Sequence, residues 1–140
     1  MGSLLANRRI YQALGIEARA STLHGRGVFA ESRFDKGDIV ETAPLIFLTA
    51  QERDWLESTS LFHYYFLSGI PDLPVAFGLG LSSLYNHGFP ANAVYHIHHK
   101  RAVIVIKAHR PIFPDEEITL NYNGHPDDAG SVYFPPTAFV

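Results

Sequence analysis

The chain has 140 residues, of which 46% are hydrophobic and 18% charged, and its formal net charge is −3. This length and composition predict one folded domain, residues 1–140, with a single hydrophobic core, and they exclude a disordered chain. Eleven basic residues against fourteen acidic ones do not suit a general nucleic-acid binder, so we expect no direct nucleic-acid partner.

The sequence contains no cysteine, which excludes disulfides, thiolate zinc sites and a cysteine nucleophile. Apolar runs such as residues 102–106 are too short to span a bilayer, and residues 1–15 lack the apolar stretch of a secretion signal. We therefore expect an intracellular protein with no membrane partner.

The first third of the chain predicts one short helix followed by strands. Leucine and isoleucine recur near helical spacing in residues 3–14. Residues 16–22 alternate in polarity, and strand-forming residues resume at Val28 after the pair of glycines in "HGRG". Residues 39–48 predict a further strand, which we expect Pro44 to interrupt.

The middle of the chain carries the clearest helix signal. Thr49 is a suitable N-cap, and Glu52, three residues later, completes a capping box. An aromatic-rich stretch over residues 61–67 follows, and residues 69–84 are then broken by glycines and prolines.

The last third predicts more short strands. Residues 93–99 and 101–108 read as a hairpin around Lys100, and residues 110–122 as another strand pair bounded by prolines. Many short strands, few helices and no internal repeat favour a mainly β fold built of small sheets.

Three segments carry residues suited to chemistry: "HGRGVFA" at 24–30, "YNHGFPANAVY" at 85–95 and "DEEITLNYNG" at 115–124. Each is weak alone. A G-x-G beside a strand is usually a bulge or turn, and it lacks the third glycine of a phosphate-binding loop. The Asn-Gly pair at 123–124 would ordinarily indicate a hairpin turn.

Taken in order, "GRGVFA", "NHGFPAN" and "EEITLNY" resemble the SET-domain family of protein-lysine methyltransferases, from about His24 to Gly124. The chain is similar to the compact stand-alone members of bacteria and viruses, without cysteine-rich flanking modules. The resemblance implies a SET-domain β-clip of small sheets with a few short helices and a C-terminal pseudoknot. Such threading is rare in proteins, and composition alone does not predict it.

The resemblance implies transfer of a methyl group from S-adenosylmethionine to a lysine of a basic protein or peptide, such as a histone. It assigns the catalytic role to Tyr122, at the methyl-transfer channel. Asn86 would bind the cofactor through its side chain and His87 through its backbone. The full set assigned to the cofactor is His24, Gly25, Arg26, Gly27, Asn86, His87 and Tyr122. The location would be cytoplasmic in a bacterium, and nuclear or chromatin-associated for a eukaryotic or viral protein.

A channel for the substrate lysine is expected beside Tyr122. In the family, tyrosine or phenylalanine near this channel tunes the degree of methylation, and the residues here favour neither outcome. In the family, a cysteine-rich C-terminal zinc module normally closes this channel, and we expect residues 125–140 to close it here instead. An equally weighted alternative is that the aromatic residues of this segment cap the core or an interface of a homodimer. The expected lining residues are Tyr64, Tyr95, Leu120, Tyr133 and Phe134.

The sequence departs from the family pattern at three places. Gly88 replaces the common serine, Pro90 stands one position early, and Asn121 replaces the usual aspartate before the terminal tyrosine. None of these changes the expected catalytic hydroxyl, but the first two bear on the geometry of the loop after the Asn-His pair.

Other interpretations stay open at this point. A non-catalytic SET-like module could bind peptide or cofactor without turnover. His96 and His98 share one face of a strand and could bind a metal, although no glutamate follows at the spacing of a cupin-type site. The acidic residues at 115–117 and 127–128 are solvated turn residues or a rim that attracts a basic peptide.

Overall fold

The structure is a computed structural model, and it describes residues 10–130. This part of the chain is mainly β, as the sequence predicts. Its helices are α1 (Ala50–Glu57) and a 3₁₀ helix (Ser60–His63). Its strands are β1 (Gln12–Ala13), β2 (Ile16–Ala20), β3 (Arg26–Ala30), β4 (Ile39–Leu48), β5 (Tyr65–Ile70), β6 (Leu73–Gly78), β7 (Asn86–His87), β8 (Ala93–His98), β9 (Val103–Ala108) and β10 (Glu117–Leu120).

The strands form two sheets. The six-stranded sheet has the order β5-β6-β4-β9-β8, with β1 also paired to β4, and the four-stranded sheet has the order β2-β3-β10-β7. The buried hydrophobic residues of both sheets form one core cluster, which includes Val28, Ile104, Ile106 and Ile118. In residues 10–130 no helix is long and apolar enough to cross a membrane.

The predicted interruption of β4 at Pro44 is wrong. The strand continues through the proline because it changes partner there. Residues before and including Pro44 pair with β9, and residues from Leu45 onward pair with β6. The N–H that proline lacks therefore falls where one pairing gives way to the next.

Two local predictions are confirmed. The capping box is complete: Glu52 N–H donates to Thr49 Oγ1 at 3.1 Å, and Thr49 N–H donates to Glu52 Oε2 at 2.9 Å. Strands β8 and β9 form the predicted antiparallel hairpin, in register from Ala93 opposite Ala108 to His98 opposite Val103.

Two other local predictions are wrong within the described residues, and the ordinary interpretation of the Asn-Gly pair as a hairpin turn does not apply there. Residues 12–13 form a strand against β4 instead of continuing a helix; residues 1–9 lie outside the described part. The segment 110–122 contains one strand, β10, and a single bridge from Ile112 to Phe34. The turn at 123–124 closes through Gly124 N–H to Asn121 O at 2.8 Å, and no paired strand follows it before residue 130.

Strand β10 brings the three motif segments together. It pairs antiparallel with β3, where Glu117 faces Phe29, and parallel with β7, where Thr119 faces Asn86. The chain after β10 stays beside the same loop, since Ala91 N–H donates to Pro126 O at 3.0 Å. Three segments that are distant in the sequence thus meet at one place.

Candidate functional site

The side chain of Asn86 connects the ends of the motif segments. The residue is 3% exposed, and its Nδ2 donates to His24 O at 2.8 Å, to Arg26 O at 3.1 Å and to Glu117 Oε2 at 2.8 Å. The backbone around the two glycines is therefore held against β7 by the side-chain amide of Asn86.

The two positions of "GRG" that carry glycine require it for different structural reasons. Gly25 adopts a positive φ of 48°, which a residue with a side chain rarely tolerates. Gly27 is buried, and a Cβ there would overlap Glu117 Oε2 and lie 2.9 Å from Asn86 Nδ2. The second glycine thus permits the approach of Glu117 to Asn86.

His87 and Tyr122 are in direct contact. Tyr122 N–H donates to His87 Nδ1 at 3.1 Å, and burial lowers the pKa of the His87 imidazole. The hydroxyl of Tyr122 donates to Tyr85 O at 2.7 Å. Burial first, and then the nearby Tyr64 and Glu117, raise the pKa of the Tyr122 phenol, although the residue as a whole is 39% exposed.

One face of this contact opens into an aromatic cavity of about 290 Å³. Tyr95 packs against Phe66 inside it, with the ring centroids 5.0 Å apart, and burial raises the pKa of the Tyr95 phenol. The lining consists of His63, Tyr64, Tyr65, Phe66, Leu67, Ser82, Ser83, Tyr85, Tyr95, Tyr122 and Asn123.

A second, more open groove of about 590 Å³ lies beside His87. Leu23 and Phe89 are each 56% exposed, so the groove has apolar walls that solvent reaches. Its lining consists of Thr22, Leu23, Phe29, His87, Gly88, Phe89, Pro90, Asn92, Arg110, Glu116, Glu117 and Thr119. His87 lines the groove and Tyr122 lines the cavity, so the contact between these residues lies between the two hollows.

The structure brings most of the predicted site residues together. Asn86 contacts the backbone of His24 and Arg26, and Tyr64, Tyr95 and Tyr122 line the cavity. Leu120 does not line it: the residue is 1% exposed and belongs to the core cluster, so its predicted channel position is not supported.

Two of the predicted channel residues, Tyr133 and Phe134, lie outside the described residues. Sequence reasoning also missed Tyr85, whose carbonyl binds the Tyr122 hydroxyl, and Phe66, which packs on Tyr95. The sequence does offer one signal for Tyr85, which is its position directly before the Asn-His pair.

The acidic residues 115–117 are bonded within the chain. Asp115 pairs with Arg19 at 2.9 Å, and Glu116 pairs with Arg110 at 3.0 Å. Glu116 also accepts from Asn92 Nδ2 at 3.0 Å, which fixes the second asparagine of the motif. These contacts favour a structural role for this cluster over a free acidic rim.

Within residues 10–130, the structure adds no further ligand to the metal site considered at His96 and His98. His96 and His98 are exposed on β8. Across residues 10–130, no group of three histidine, cysteine, aspartate or glutamate side chains is placed to hold a metal ion.

The fold and the motif contacts define the class of protein. A model of the SET domain matches residues 25–123, and the chain therefore belongs to the SET-domain family. None of the curated proteins matches the chain.

Solved structures support the same class. A Plasmodium falciparum protein provisionally named a histone methyltransferase has a TM-score of 0.64 and 28% identity, with 79% of this chain and 94% of that chain covered. The Polycomb Repressive Complex 2 of Chaetomium thermophilum has a TM-score of 0.67 at 21% identity, with 82% of this chain and 17% of that chain covered. Another structure of this complex, bound to S-adenosylmethionine, has the same TM-score and identity and covers 83% and 16%. The two Polycomb matches establish similarity of fold.

Proposed function

We propose that this chain is an S-adenosylmethionine-dependent protein-lysine N-methyltransferase that acts inside the cell on a basic protein, such as a histone. The observation that carries the proposal is the contact of His87 with Tyr122, because it places a residue of the open groove directly beside a residue of the aromatic cavity. The name of the Plasmodium falciparum relative agrees with this class of substrate.

The groove beside His87 fits the cofactor. Its volume of about 590 Å³ lies within the range of pockets that hold cofactors. Its apolar residues Leu23 and Phe89 and its polar residue Thr22 offer apolar and polar contacts. The cofactor supplies a methyl group that is activated by its bond to a sulfonium.

The aromatic cavity fits the lysine side chain. A free lysine has a pKa of about 10.4 and is protonated at neutral pH, whereas attack on the methyl group requires a neutral amine. Burial among rings such as Tyr64 and Tyr95 disfavours the charged ammonium and so lowers its pKa. The narrow cavity also aligns the amine, which reduces the entropic part of the barrier.

The hydroxyl of Tyr122 has a defined orientation in this proposal. Its proton is donated to Tyr85 O, so the phenol oxygen presents its lone pairs and can accept a hydrogen bond from the amine. Because the pKa of the phenol is raised, the group stays protonated at neutral pH and does not serve as the base. Its role is to orient the nucleophile.

The rest of the proposal concerns the partners. A net charge of −3 suits a basic protein or peptide. We also propose that residues 125–140, with Tyr133 and Phe134, close the lysine channel, either within one chain or across a homodimer.

The test is methyl transfer from radiolabelled S-adenosylmethionine to histones and to other basic proteins. Tyr122→Phe should lower the rate about 100-fold or more while cofactor affinity changes less than about twofold. Tyr65→Phe is the matched control, because this cavity hydroxyl is bound to Glu57 Oε1 at 2.8 Å, away from Tyr122. Normal transfer by Tyr122→Phe would refute the assigned role. Cofactor binding without transfer to any lysine would instead indicate a non-catalytic module.

A further inference from the structure

Glu41 is a buried carboxylate that holds one wall of the aromatic cavity without lining it. The residue lies on β4 and is 0% exposed. Its Oε2 accepts from Leu81 N–H and its Oε1 accepts from the Tyr85 hydroxyl, each at 2.8 Å. Three residues of the segment 81–85 line the cavity. A single buried side chain therefore anchors this wall segment at both of its ends.

The wall segment is also closed by its own backbone. Leu84 N–H donates to Leu81 O at 2.9 Å. Directly before the segment, Gly80 has a positive φ of 62°, and a Cβ there would lie 2.6 Å from Glu41 Oε2. Only a residue without a side chain leaves room for the carboxylate at this point. A local hydrogen bond and the contact with Glu41 thus fix the segment together.

Tyr85 connects this anchor to the hydroxyl of Tyr122. Its side chain is 2% exposed and belongs to the core cluster, and its phenol is bonded to Glu41. The next residue, Asn86, is held in the sheet opposite Thr119. The carbonyl of Tyr85 lies between these two fixed points, and it accepts the Tyr122 hydroxyl at 2.7 Å. The direction of this carbonyl therefore depends on the bond from Tyr85 to Glu41.

We propose that Glu41 and Tyr85 form a positioning pair for the Tyr122 hydroxyl. Glu41 fixes the phenol of Tyr85, and the backbone of Tyr85 then aims the carbonyl that receives the proton of Tyr122. Glu41 lines neither hollow, so it acts only through Tyr85. This inference rests on the proposed function, because the group that Tyr122 would orient is the amine of a substrate lysine.

The experiment measures single-turnover methyl transfer from S-adenosylmethionine to histones, with both at saturating concentration. Tyr85→Phe keeps the buried ring and removes its bond to Glu41 Oε1. In the wild-type background it should lower the rate about tenfold, while cofactor affinity changes less than about twofold. In the Tyr122→Phe background it should change the residual rate less than about twofold, because the hydroxyl that the pair orients is already absent.

Thr49→Ala is the control for lost stability. It removes the N-cap of α1, which lines neither hollow, and it weakens folding about as much as the loss of one buried hydrogen bond. Its transfer rate should equal that of the wild type. If Thr49→Ala slows transfer as much as Tyr85→Phe, or if Tyr85→Phe has the same effect with and without the Tyr122 hydroxyl, then the inference is overturned.

Two variants of Glu41 keep the inference falsifiable if Tyr85→Phe does not fold. In Glu41→Gln, the amide oxygen can accept from Leu81 N–H and the amide nitrogen can donate to the Tyr85 oxygen, so the rate should stay within about threefold of the wild type. Glu41→Met has a similar length but cannot replace these bonds, and it should lower the rate about tenfold. A folded Glu41→Gln that has lost transfer, or a Glu41→Met that transfers normally, would contradict the inference.

Failure of the inference is distinguishable from failure of the proposed function. A wild-type chain that transfers no methyl group would overturn both. Normal transfer by the wild type, together with an unaffected Tyr85→Phe, would overturn the positioning role alone.

Discussion

The backbone N–H of Tyr122 donates to Nδ1 of His87 at 3.1 Å, and the two rings meet edge to face with centroids 5.3 Å apart. Because Nδ1 accepts, the proton of the neutral imidazole is on Nε2. Protonation of His87 would turn Nδ1 into a donor and break this bond. The contact between His87 and Tyr122 is therefore sensitive to acid.

This relationship predicts how stability depends on pH. Burial lowers the pKa of His87 below 6.5 in the folded state, so its contribution to stability is present above the unfolded pKa and is lost as the pH falls through the folded pKa. His87→Asn offers an oxygen acceptor that does not titrate. Between about pH 7 and pH 5, the free energy of unfolding should fall more steeply in the wild type than in His87→Asn.

Urea unfolding at several pH values measures this difference. His24, whose pKa is also lowered by burial, is present in both proteins, so its titration cancels in the comparison. Parallel curves for the two proteins would contradict the prediction.

Glu41 gives a second prediction, in which stability changes with pH in the opposite direction. The residue is 0% exposed; its Oε1 accepts from the Tyr85 hydroxyl and its Oε2 from Leu81 N–H, each at 2.8 Å. Burial raises the pKa of Glu41 above 4.5, and the two hydrogen bonds only partly offset this. Its contribution to stability is therefore complete below the unfolded pKa and is lost as the pH rises through the folded pKa.

Glu41→Gln is neutral at every pH and isolates this contribution. The free energy of unfolding of the wild type, minus that of the variant, should decrease from acid to neutral pH. Tyr85→Phe should lower stability by about 1–3 kcal/mol, because it leaves one carboxylate oxygen of Glu41 without its donor. A difference that stays constant or increases with pH would show that the carboxyl is not destabilised as an anion.

The sequence predicted those features that depend on residues close together in the chain. The capping box of Thr49 and Glu52 and the β8–β9 hairpin follow from local patterns. The assigned site residues came from short motifs whose resemblance to a family supplied the spatial arrangement, and their roles stay predictions. Neither source required knowledge of which strands pair.

What the sequence did not predict depends on distant contacts. Glu41 and Tyr85 are 44 residues apart, and a buried glutamate in a strand has no sequence signature of its own. Leu120 was assigned to the channel by the family resemblance, whereas in the fold β10 is buried and Leu120 packs into the core. Pro44 was misread because the change of strand partner there is visible only in the folded sheet.

The loop after the Asn-His pair gives a third prediction. A Cβ on Gly88 would lie 2.6 Å from Thr119 Oγ1 and 2.7 Å from Thr119 Cβ. Gly88→Ser restores the residue common in the family, yet here it should lower the free energy of unfolding by about 1–3 kcal/mol through overpacking. Urea unfolding of both proteins measures the loss.

Gly130→Ser is the control for this substitution, since the nearest atom is Oδ1 of Asp128, at the end of an exposed side chain. Its effect should stay within about 0.5 kcal/mol. If Gly88→Ser is equally mild, then the loop adapts, and glycine at 88 is not required by contact with Thr119.

The last prediction concerns the degree of methylation and rests on the proposed function. Tyr95 lines the aromatic cavity and packs on Phe66, and no residue in the range 10–130 hydrogen-bonds its hydroxyl. Tyr95→Phe keeps the ring and its packing but removes the oxygen, so a methylated amine would gain room and lose one hydrogen-bonding partner. The product mixture should therefore shift toward higher methylation states, as measured by mass spectrometry of a lysine peptide after many turnovers. The control is Tyr65→Phe, whose lost hydroxyl faces Glu57 instead, and it should leave the mixture unchanged. An identical product distribution in Tyr95→Phe would mean that the cavity at Tyr95 does not receive the reacting amine.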